Sequence, residues 1–247
     1  MTVDQTSLQG KRVLVSGGTT GIGRATVAQL AKAGAMVLTF GRHEAELQGS
    51  LENARQVSET VYGLVADVAT KDGIAKVFAA VDSQLGGLDI LIANAGLSVE
   101  GAQDLPDDEW RNAVETNFVG YIASAREAIM RFRNSGKGHI VFVGSISAEA
   151  QSPGTSVYAA TKAGIETYAK TLRKEVMDDN IKVTLVEPGS VGADMQEKSP
   201  EEQREAIAKH EMLYAEELAD TILFALTRSP RTDVSVLRVE PRVQKRG

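Results

Sequence analysis

The chain has 247 residues, 27 Lys and Arg against 33 Asp and Glu, a net charge of −6, and no Cys. The absence of Cys excludes disulfides, Cys-ligated zinc, iron–sulfur clusters and a thiol nucleophile. The acidic balance argues against a nucleic-acid partner, which requires clustered Lys and Arg. Residues 1–10 have no apolar signal core, and no 18-residue apolar run follows, so we expect no membrane partner and a cytoplasmic location.

Seven short apolar runs alternate with segments of helical periodicity. The runs are 13–15, 36–38, 61–65, 90–92, 140–143, 183–186 and 234–237. Such Val, Ile and Leu runs favour strands buried on both faces, as in parallel sheets. The helical segments include 23–33, 71–85, 107–133, 156–177 and 215–226. The alternation predicts an α/β fold, with a single doubly wound (Rossmann-type) parallel sheet and helices on both faces.

Residues 191–212 do not fit this alternation, because they are charged and polar and follow the end of a predicted strand. One interpretation is a solvated helix, and the other is a mobile lid over a ligand site. Ligands of open α/β sheets bind outside the carboxyl ends of the strands, where such a lid would lie. We expect one dinucleotide-binding and catalytic domain over residues 1–247, with a substrate lid at about 191–212.

A glycine-rich turn, SGGTTGIGR at residues 16–24, joins the first predicted strand to the first helix. Glycines there permit a tight turn and a close approach of backbone N–H groups to a pyrophosphate, and the helix N-terminus adds partial positive charge. No Gly-Lys-Ser/Thr follows, which excludes an ATP-type P-loop. A plain structural turn is the alternative. The expected cofactor contacts are Gly17, Thr19, Thr20, Gly21, Ile22 and Gly23.

The end of the second strand indicates which dinucleotide would bind. Gly41 stands where an acidic residue would contact the ribose 2′-OH of NAD, and Arg42 and His43 follow it. A guanidinium suits the 2′-phosphate of NADP. An exposed loop arginine is the alternative interpretation. The missing carboxylate favours NADP(H), with contacts from Arg42 and His43.

Tyr158 and Lys162 are four residues apart, so on a helix they project from one face, roughly 5.4 Å apart. A phenol of ordinary pKa is a poor base at neutral pH, and an adjacent ammonium lowers that pKa. Ser145, thirteen residues earlier, ends a predicted strand and can face the same crevice. Such pairs are common on helix surfaces, so the surrounding motifs decide whether this one is functional.

Those motifs resemble the short-chain dehydrogenase/reductase family, from about Gly10 to Gln244. The resemblance rests on the glycine spacing, on Tyr158-x-x-x-Lys162 with Ser145 upstream, and on Asn117 in ETNF. It implies that Tyr158 exchanges a proton with the substrate oxygen and that Ser145 holds that oxygen. It also implies that Lys162 binds the nicotinamide ribose and lowers the Tyr158 pKa, and that Asn117 positions a water relay.

The same resemblance implies further cofactor contacts after the third, fourth and sixth strands. Ala93 and Ala193 depart from the family pattern, which often has Asn and Thr at these places. The cofactor contacts implied are Asp67, Val68, Asn94, Ala95, Gly96, Tyr158, Lys162, Pro188, Gly189 and Val191.

The substrate pocket is expected among residues near the catalytic group, and no metal site is expected. Three carboxylates there, with no Lys or Arg before Lys198, favour a cation over an anionic acid. We therefore expect a small secondary alcohol or ketone, including an amino alcohol or aminoketone. Carboxylates that face solvent are the alternative. The expected substrate contacts are Ser145, Glu149, Gln151, Glu187, Ser190 and Asp194.

Two alternatives to that function stay open. Residues 233–242 resemble the NADP-dependent branch that acts on serine and other 3-hydroxy acids, which keeps a 3-hydroxy acid or serine-type substrate possible. A non-catalytic NADP-binding regulator is the alternative of another class. Members of the branch are commonly tetramers, so a homotetramer is favoured over a dimer, with helices 107–133 and 156–177 resembling the family's dimerisation helices.

Overall fold

The structure is a computed structural model that describes residues 4–101, 103, 105–193 and 199–244. Seven strands form one sheet in the order β3-β2-β1-β4-β5-β6-β7, and every neighbouring pair is parallel. This confirms the predicted fold class. The strands are β1 (Arg12–Ser16), β2 (Met36–Gly41), β3 (Val61–Val65), β4 (Ile90–Ala93), β5 (Gly138–Val143), β6 (Ile181–Pro188) and β7 (Val236–Val239).

Successive residues of a strand point to opposite faces of a sheet, so the apolar runs supply two cores. Leu14 faces the layer formed by α3 (Lys71–Ala80), α5 (Gly120–Ser135) and α7 (Ser156–Val176). Val13 and Val15 face the layer formed by α1 (Gly21–Lys32), α2 (Glu44–Arg55) and α9 (Ala215–Leu226). Burial on both faces explains why the runs are continuous rather than alternating.

Helix boundaries differ from the predicted segments where the backbone leaves the α conformation. The segment 107–133 consists of α4 (Asp107–Val114), a π turn at Glu115–Val119 and then α5. The segment 71–85 likewise ends in a π turn at Val81–Leu85. A π turn inserts an extra residue and often marks a functional site. Hydrophobic periodicity does not reveal it, because the helix axis continues through it.

The last strand begins two residues later than the apolar run 234–237 suggests, since β7 spans Val236–Val239. This strand lies at the edge of the sheet and pairs only with β6. Its residues are alternately exposed and half-buried. An edge strand has fewer buried residues, so a run of apolar residues predicts its first and last residue less accurately.

The polar segment after β6 includes a short helix, α8 (Pro200–Ala208). Ser199 and Glu202 form a reciprocal capping box at its start, with Pro200 at the first helical position, both of which favour a helix N-terminus. Val191 bridges to Leu213 on either side of this segment. Residues 200–208 are thus helical and mostly exposed, residues 194–198 lie outside the described part of the chain, and the lid stays a prediction.

Within the described ranges, no helix is long and apolar enough to cross a membrane. The remaining helix, α6 (Ser147–Ala150), is a single turn directly after β5. It lies between the strand end that carries Ser145 and the start of α7, which carries Tyr158 and Lys162. The topology thus brings the predicted catalytic residues to the carboxyl edge of the sheet.

Candidate active site

The strand order reverses between β1 and β4, which opens a crevice at the carboxyl edge of the sheet. The glycine turn follows β1, and Asn94 and Ala95 follow β4. The Ser16 hydroxyl accepts hydrogen bonds from the backbone N–H of Asn94 at 2.9 Å and of Ala95 at 3.1 Å. The Asn94 amide donates to the Gly17 carbonyl at 3.0 Å. These bonds hold the two loops against each other.

Space, as well as backbone conformation, requires glycine in this turn. Gly17 has φ +65°, and a Cβ there would lie 2.7 Å from the Ala95 Cα. A Cβ on Gly23 would lie 2.1 Å from the Gly17 carbonyl oxygen. A Cβ on Gly21, where φ is +49°, would lie 2.9 Å from the Ala193 Cβ. The loop, called the cradle below, is therefore so closely packed that a side chain at any of these three glycines would clash with neighbouring atoms.

The N-terminus of α1 opens into this cradle. Thr20 is the N-cap residue and makes no side-chain capping bond, and no acidic residue occupies the first turn. Thr19, Thr20 and Ile22 are partly exposed. Backbone N–H groups of the first turn and the helix dipole therefore favour an anion here.

Arg42 and His43 stand on the rim where β2 ends, and both are exposed. The Arg42 guanidinium makes no ion pair or hydrogen bond with the part of the chain that the structure describes. A Cβ on Gly41 would lie 2.5 Å from the Thr19 Cγ2 atom, so a carboxylate at position 41 would require Thr19 to move. The geometry leaves a free cation and no acidic group at the end of β2.

Asp67 and Val68 follow β3 on the same edge. One Asp67 carboxylate oxygen accepts the Ala69 backbone N–H at 2.9 Å, which forms a tight local turn. Val68 is buried. Their contact with the adenine end of a dinucleotide stays a prediction.

The Ser145 hydroxyl lies close enough to Tyr158 to influence the titration of its phenol. The Ser145 hydroxyl also accepts the Ser147 backbone N–H at 3.1 Å and donates to the Ser147 hydroxyl at 3.0 Å. Burial raises the pKa of Tyr158, and the neighbouring Ser145 hydroxyl partly opposes this. Lys162 is not among the groups that shift this pKa in the structure, so the lowering that the family resemblance implies stays a prediction.

Lys162 is almost fully buried, 4% exposed, on the same face of α7 as Tyr158. Its Nζ donates to the Val143 carbonyl at 3.0 Å and lies 5.6 Å from the centroid of the Tyr158 ring. Burial lowers the pKa of Lys162 to about 8, since loss of hydration disfavours the charged form. The predicted pairing of phenol and amine on one helix face is thus present.

Asn117 lies in the π turn and is completely buried. Its side-chain oxygen accepts the Leu97 N–H at 2.7 Å, and its Nδ2 donates to the Leu97 carbonyl at 2.8 Å. Nδ2 also lies 3.4 Å from the Thr161 hydroxyl on α7. A Cβ on Gly96 would lie 3.5 Å from the Asn117 oxygen and 3.8 Å from the Lys162 amine. Asn117 therefore ties the loop after β4 to the catalytic helix.

The segment Pro188–Val191 closes the other side of the crevice. The Pro188 carbonyl accepts the Ile146 N–H at 3.1 Å, next to Ser145, and the Gly189 N–H donates to Val239 at 2.8 Å. Ser190 N–H donates to the Gln244 side chain at 2.9 Å. No sequence motif predicts a role for Gln244, because the two residues of this contact are 54 positions apart in the chain.

The predicted substrate residues do not form an uncompensated acidic pocket. Arg238 on β7 pairs with Glu149 at 2.7 Å and with Glu187 at 2.9 Å. The expectation that no Lys or Arg lies near these carboxylates is therefore wrong. Arg238 stands directly beside Glu187 in the β6–β7 register, a neighbour that sequence separation conceals. Its hydrogen bond holds the pKa of Glu149 below the usual value.

The positions of the other predicted substrate residues do not indicate whether they contact a substrate. Gln151 is exposed, with φ +50°, and ends α6. Ser190 is partly exposed beside the C-terminal segment. Asp194 lies outside the described residues.

Comparison with known proteins identifies relatives along the chain. The family model for short chain dehydrogenases matches residues 11–204. An NADP-dependent 3-hydroxy acid dehydrogenase of Schizosaccharomyces pombe is 31% identical over 244 residues, covering 95% of this chain and 93% of that protein. A 3-oxoacyl-(acyl-carrier-protein) reductase of Haemophilus influenzae is 31% identical over 201 residues, covering 81% and 82%.

Solved structures agree with these relatives. A short chain dehydrogenase from Burkholderia cenocepacia, in complex with NADP, superposes with a TM-score of 0.85 at 28% identity, covering 96% of this chain and 98% of that one. The resemblance inferred from the motifs is confirmed, including the likeness to a 3-hydroxy acid dehydrogenase. The chain belongs to the short-chain dehydrogenase/reductase family of oxidoreductases.

Proposed function

We propose that this protein is an NADP(H)-dependent oxidoreductase that transfers a hydride between the nicotinamide and a small secondary alcohol or ketone. The observation that carries the proposal is the Tyr158 phenol next to the Ser145 hydroxyl, with the buried amine of Lys162 beside the phenol ring. A binding-only regulator would not need a phenol, a hydroxyl and an amine assembled at one end of a cofactor crevice, so this alternative is disfavoured.

The residues present fit NADP(H) on structural grounds. Close packing excludes side chains at Gly17, Gly21 and Gly23 of the cradle, and the N-terminus of α1 lacks a side-chain cap. Arg42 supplies an unpaired cation for the 2′-phosphate. Asp67 and Val68 suit the adenine end. Contacts toward the nicotinamide end are proposed from Asn94, Ala95, Gly96, Lys162, Pro188, Gly189 and Val191.

The bound cofactor supplies or accepts the hydride, and the side chains of this chain handle the proton. The raised pKa of Tyr158 keeps the phenol protonated near pH 7, the form that gives a proton to a ketone oxygen. Ser145 lies next to that phenol and can hold the same oxygen. Lys162 places a cation next to the phenol, which favours the phenolate left after proton transfer.

A 3-hydroxy acid or the corresponding 3-oxo compound is the substrate class that we favour. Arg238 offsets one of the two charges of Glu149 and Glu187, which weakens the case against an anion. The two relatives named above are, by their names, a 3-hydroxy acid dehydrogenase and a 3-oxoacyl reductase. Both act on an oxygen at the third carbon of an acyl chain.

An amino alcohol or aminoketone is the second candidate. Two carboxylates share one guanidinium, and Glu149 is more than half exposed, so one negative charge remains in excess near the site. A substrate ammonium would be attracted by that excess. The two candidates differ in substrate charge, and a panel of compounds separates them.

The experiment measures absorbance at 340 nm with purified protein. NADP⁺ is offered with 3-hydroxy acids, amino alcohols and neutral secondary alcohols, and NADPH with 3-oxo esters. Tyr158→Phe should lose turnover by about 10²-fold or more while NADPH affinity stays nearly unchanged. Turnover that survives in Tyr158→Phe would refute the proposed chemistry. A clear preference for amino alcohols would overturn the substrate class alone.

We also propose an assembly, a location and a lid. The protein is a homotetramer in the cytoplasm, with one catalytic domain per chain. Residues 191–212 of each chain form a lid over the substrate. Light scattering on the purified protein tests the assembly, and a monomeric mass would refute it. Proteolysis near residue 200 should slow when NADPH and substrate bind, if the segment closes over them.

A further inference from the structure

Tyr121 is a buried phenol that none of the family motifs includes. It lies on α5 one turn after Asn117, is 1% exposed, and stacks on Phe142 with ring centroids 6.0 Å apart. Its hydroxyl donates to the Val143 carbonyl at 3.2 Å. A buried phenol needs such a partner, so this bond fixes the hydroxyl end while the stack fixes the ring.

The same carbonyl oxygen is the acceptor for Lys162, whose Nζ lies 3.0 Å from it. The amine also lies 5.5 Å from the centroid of the Tyr121 ring and 5.6 Å from that of Tyr158. A carbonyl has two lone pairs and can accept both donors at once. Lys162 is therefore enclosed by one carbonyl and two phenol rings.

No carboxylate offsets the charge of this amine in the part of the chain that the structure describes. The titratable groups in contact with it are Tyr158 on its own helix and Tyr121 from α5. Asn117 and Gly96, which approach from the other elements, are uncharged. A buried ammonium without a counter-ion is costly, so the carbonyl dipole and the electron-rich ring faces have to stabilise it.

We propose that Tyr121 is a positioning residue for Lys162: its ring face holds the charged amine beside Tyr158, and its hydroxyl fixes that ring to the Val143 carbonyl. Tyr121 contacts neither substrate nor cofactor in this assignment and acts through Lys162. The catalytic consequence rests on the proposed function, whereas the effect on Lys162 itself does not.

The test measures the Lys162 pKa directly, by NMR titration of protein labelled with ¹³C-lysine, with Lys162→Met to assign the signal. Tyr121→Leu removes the ring face that favours the ammonium, so the Lys162 pKa should fall by about 0.5–1 unit. Tyr121→Met is a second ring-free variant if Tyr121→Leu folds poorly. Tyr121→Phe keeps the ring and frees the carbonyl for the amine, so the Lys162 pKa should stay or rise.

Tyr168→Leu is the matched control. Tyr168 packs on Phe142, the ring on which Tyr121 also stacks, with centroids 5.6 Å apart. No contact between Tyr168 and the Lys162 amine occurs in the described part of the chain. This variant should destabilise the fold without moving the Lys162 titration. A Lys162 pKa that is the same in wild type and in the ring-free variants would overturn the inference. So would an equal shift in Tyr168→Leu.

The two proposals fail separately. If Tyr158→Phe retains full turnover, the proposed function is wrong, whatever the Lys162 titration shows. If the titration does not respond to Tyr121, the positioning role is wrong even in an active enzyme. In an active enzyme, the pH dependence of kcat/KM should shift in Tyr121→Leu in the same direction as the measured Lys162 pKa.

Discussion

Arg238→Met tests how the edge strand β7 holds the catalytic edge together. Arg238 bridges Glu187, whose side chain is 4% exposed, and Glu149, whose side chain is 58% exposed. Removing the guanidinium leaves the buried Glu187 carboxylate without its cation. The loss of one partner from a buried ion pair costs about 3–5 kcal/mol, and partial solvation of Arg238 points to about 3 kcal/mol.

Two further variants test whether the loss of stability in Arg238→Met comes from the buried Glu187 carboxylate. Glu149→Gln breaks the exposed arm of the bridge and should change stability little, because water screens that contact. Arg238→Met combined with Glu187→Gln should recover most of the loss, since no unpaired charge is then buried. The single losses should therefore not add.

Urea unfolding followed by circular dichroism measures these differences at constant slope. A loss of about 3 kcal/mol with typical urea slopes moves the midpoint by about 1–2 M. If Arg238→Met unfolds at the same urea concentration as Glu149→Gln, Glu187 does not depend on Arg238 and the reasoning fails. If the double variant is no more stable than Arg238→Met, the cost does not come from an uncompensated carboxylate.

Three further predictions concern the cofactor crevice. Arg42→Gln should weaken NADPH binding by about tenfold, the value of one exposed charge-assisted contact, and leave NADH binding unchanged; fluorescence titration measures both, and no change would mean that the 2′-phosphate is recognised elsewhere. Gly23→Ala puts a methyl 2.1 Å from the Gly17 carbonyl, so NADPH affinity should drop at least tenfold, and an unaltered affinity would contradict the cradle. Burial lowers the Lys162 pKa from 10.5 to about 8, so between those pH values the unfolded state binds more protons and Lys162 makes stability rise with pH. Lys162→Met should lose that part of the rise in urea midpoints between pH 8 and 10, and an identical slope would refute the burial of a charged amine.

Local pattern was sufficient for the framework of this protein. Each apolar run overlaps one strand of the sheet. In the inner strands, burial on both faces makes the run of apolar residues continuous. The sequence also predicts the glycine turn and the shared helix face of Tyr158 and Lys162, since their geometry depends on residues within a few positions of one another. The family motifs then supplied their order along the crevice.

Contacts between side chains that are far apart in the chain depend on how the strands and helices pack. Arg238 reaches Glu187 because β7 pairs with β6 in one register, across 51 residues of chain. Tyr121 reaches Lys162 because α5 and α7 pack on the same face of the sheet, and both donate to Val143. Neighbouring residues specify the strands, the glycine turn and the helix face shared by Tyr158 and Lys162, so local pattern predicts them. The charge balance of the pocket and the surroundings of the buried amine depended on long-range packing, which no local pattern encodes.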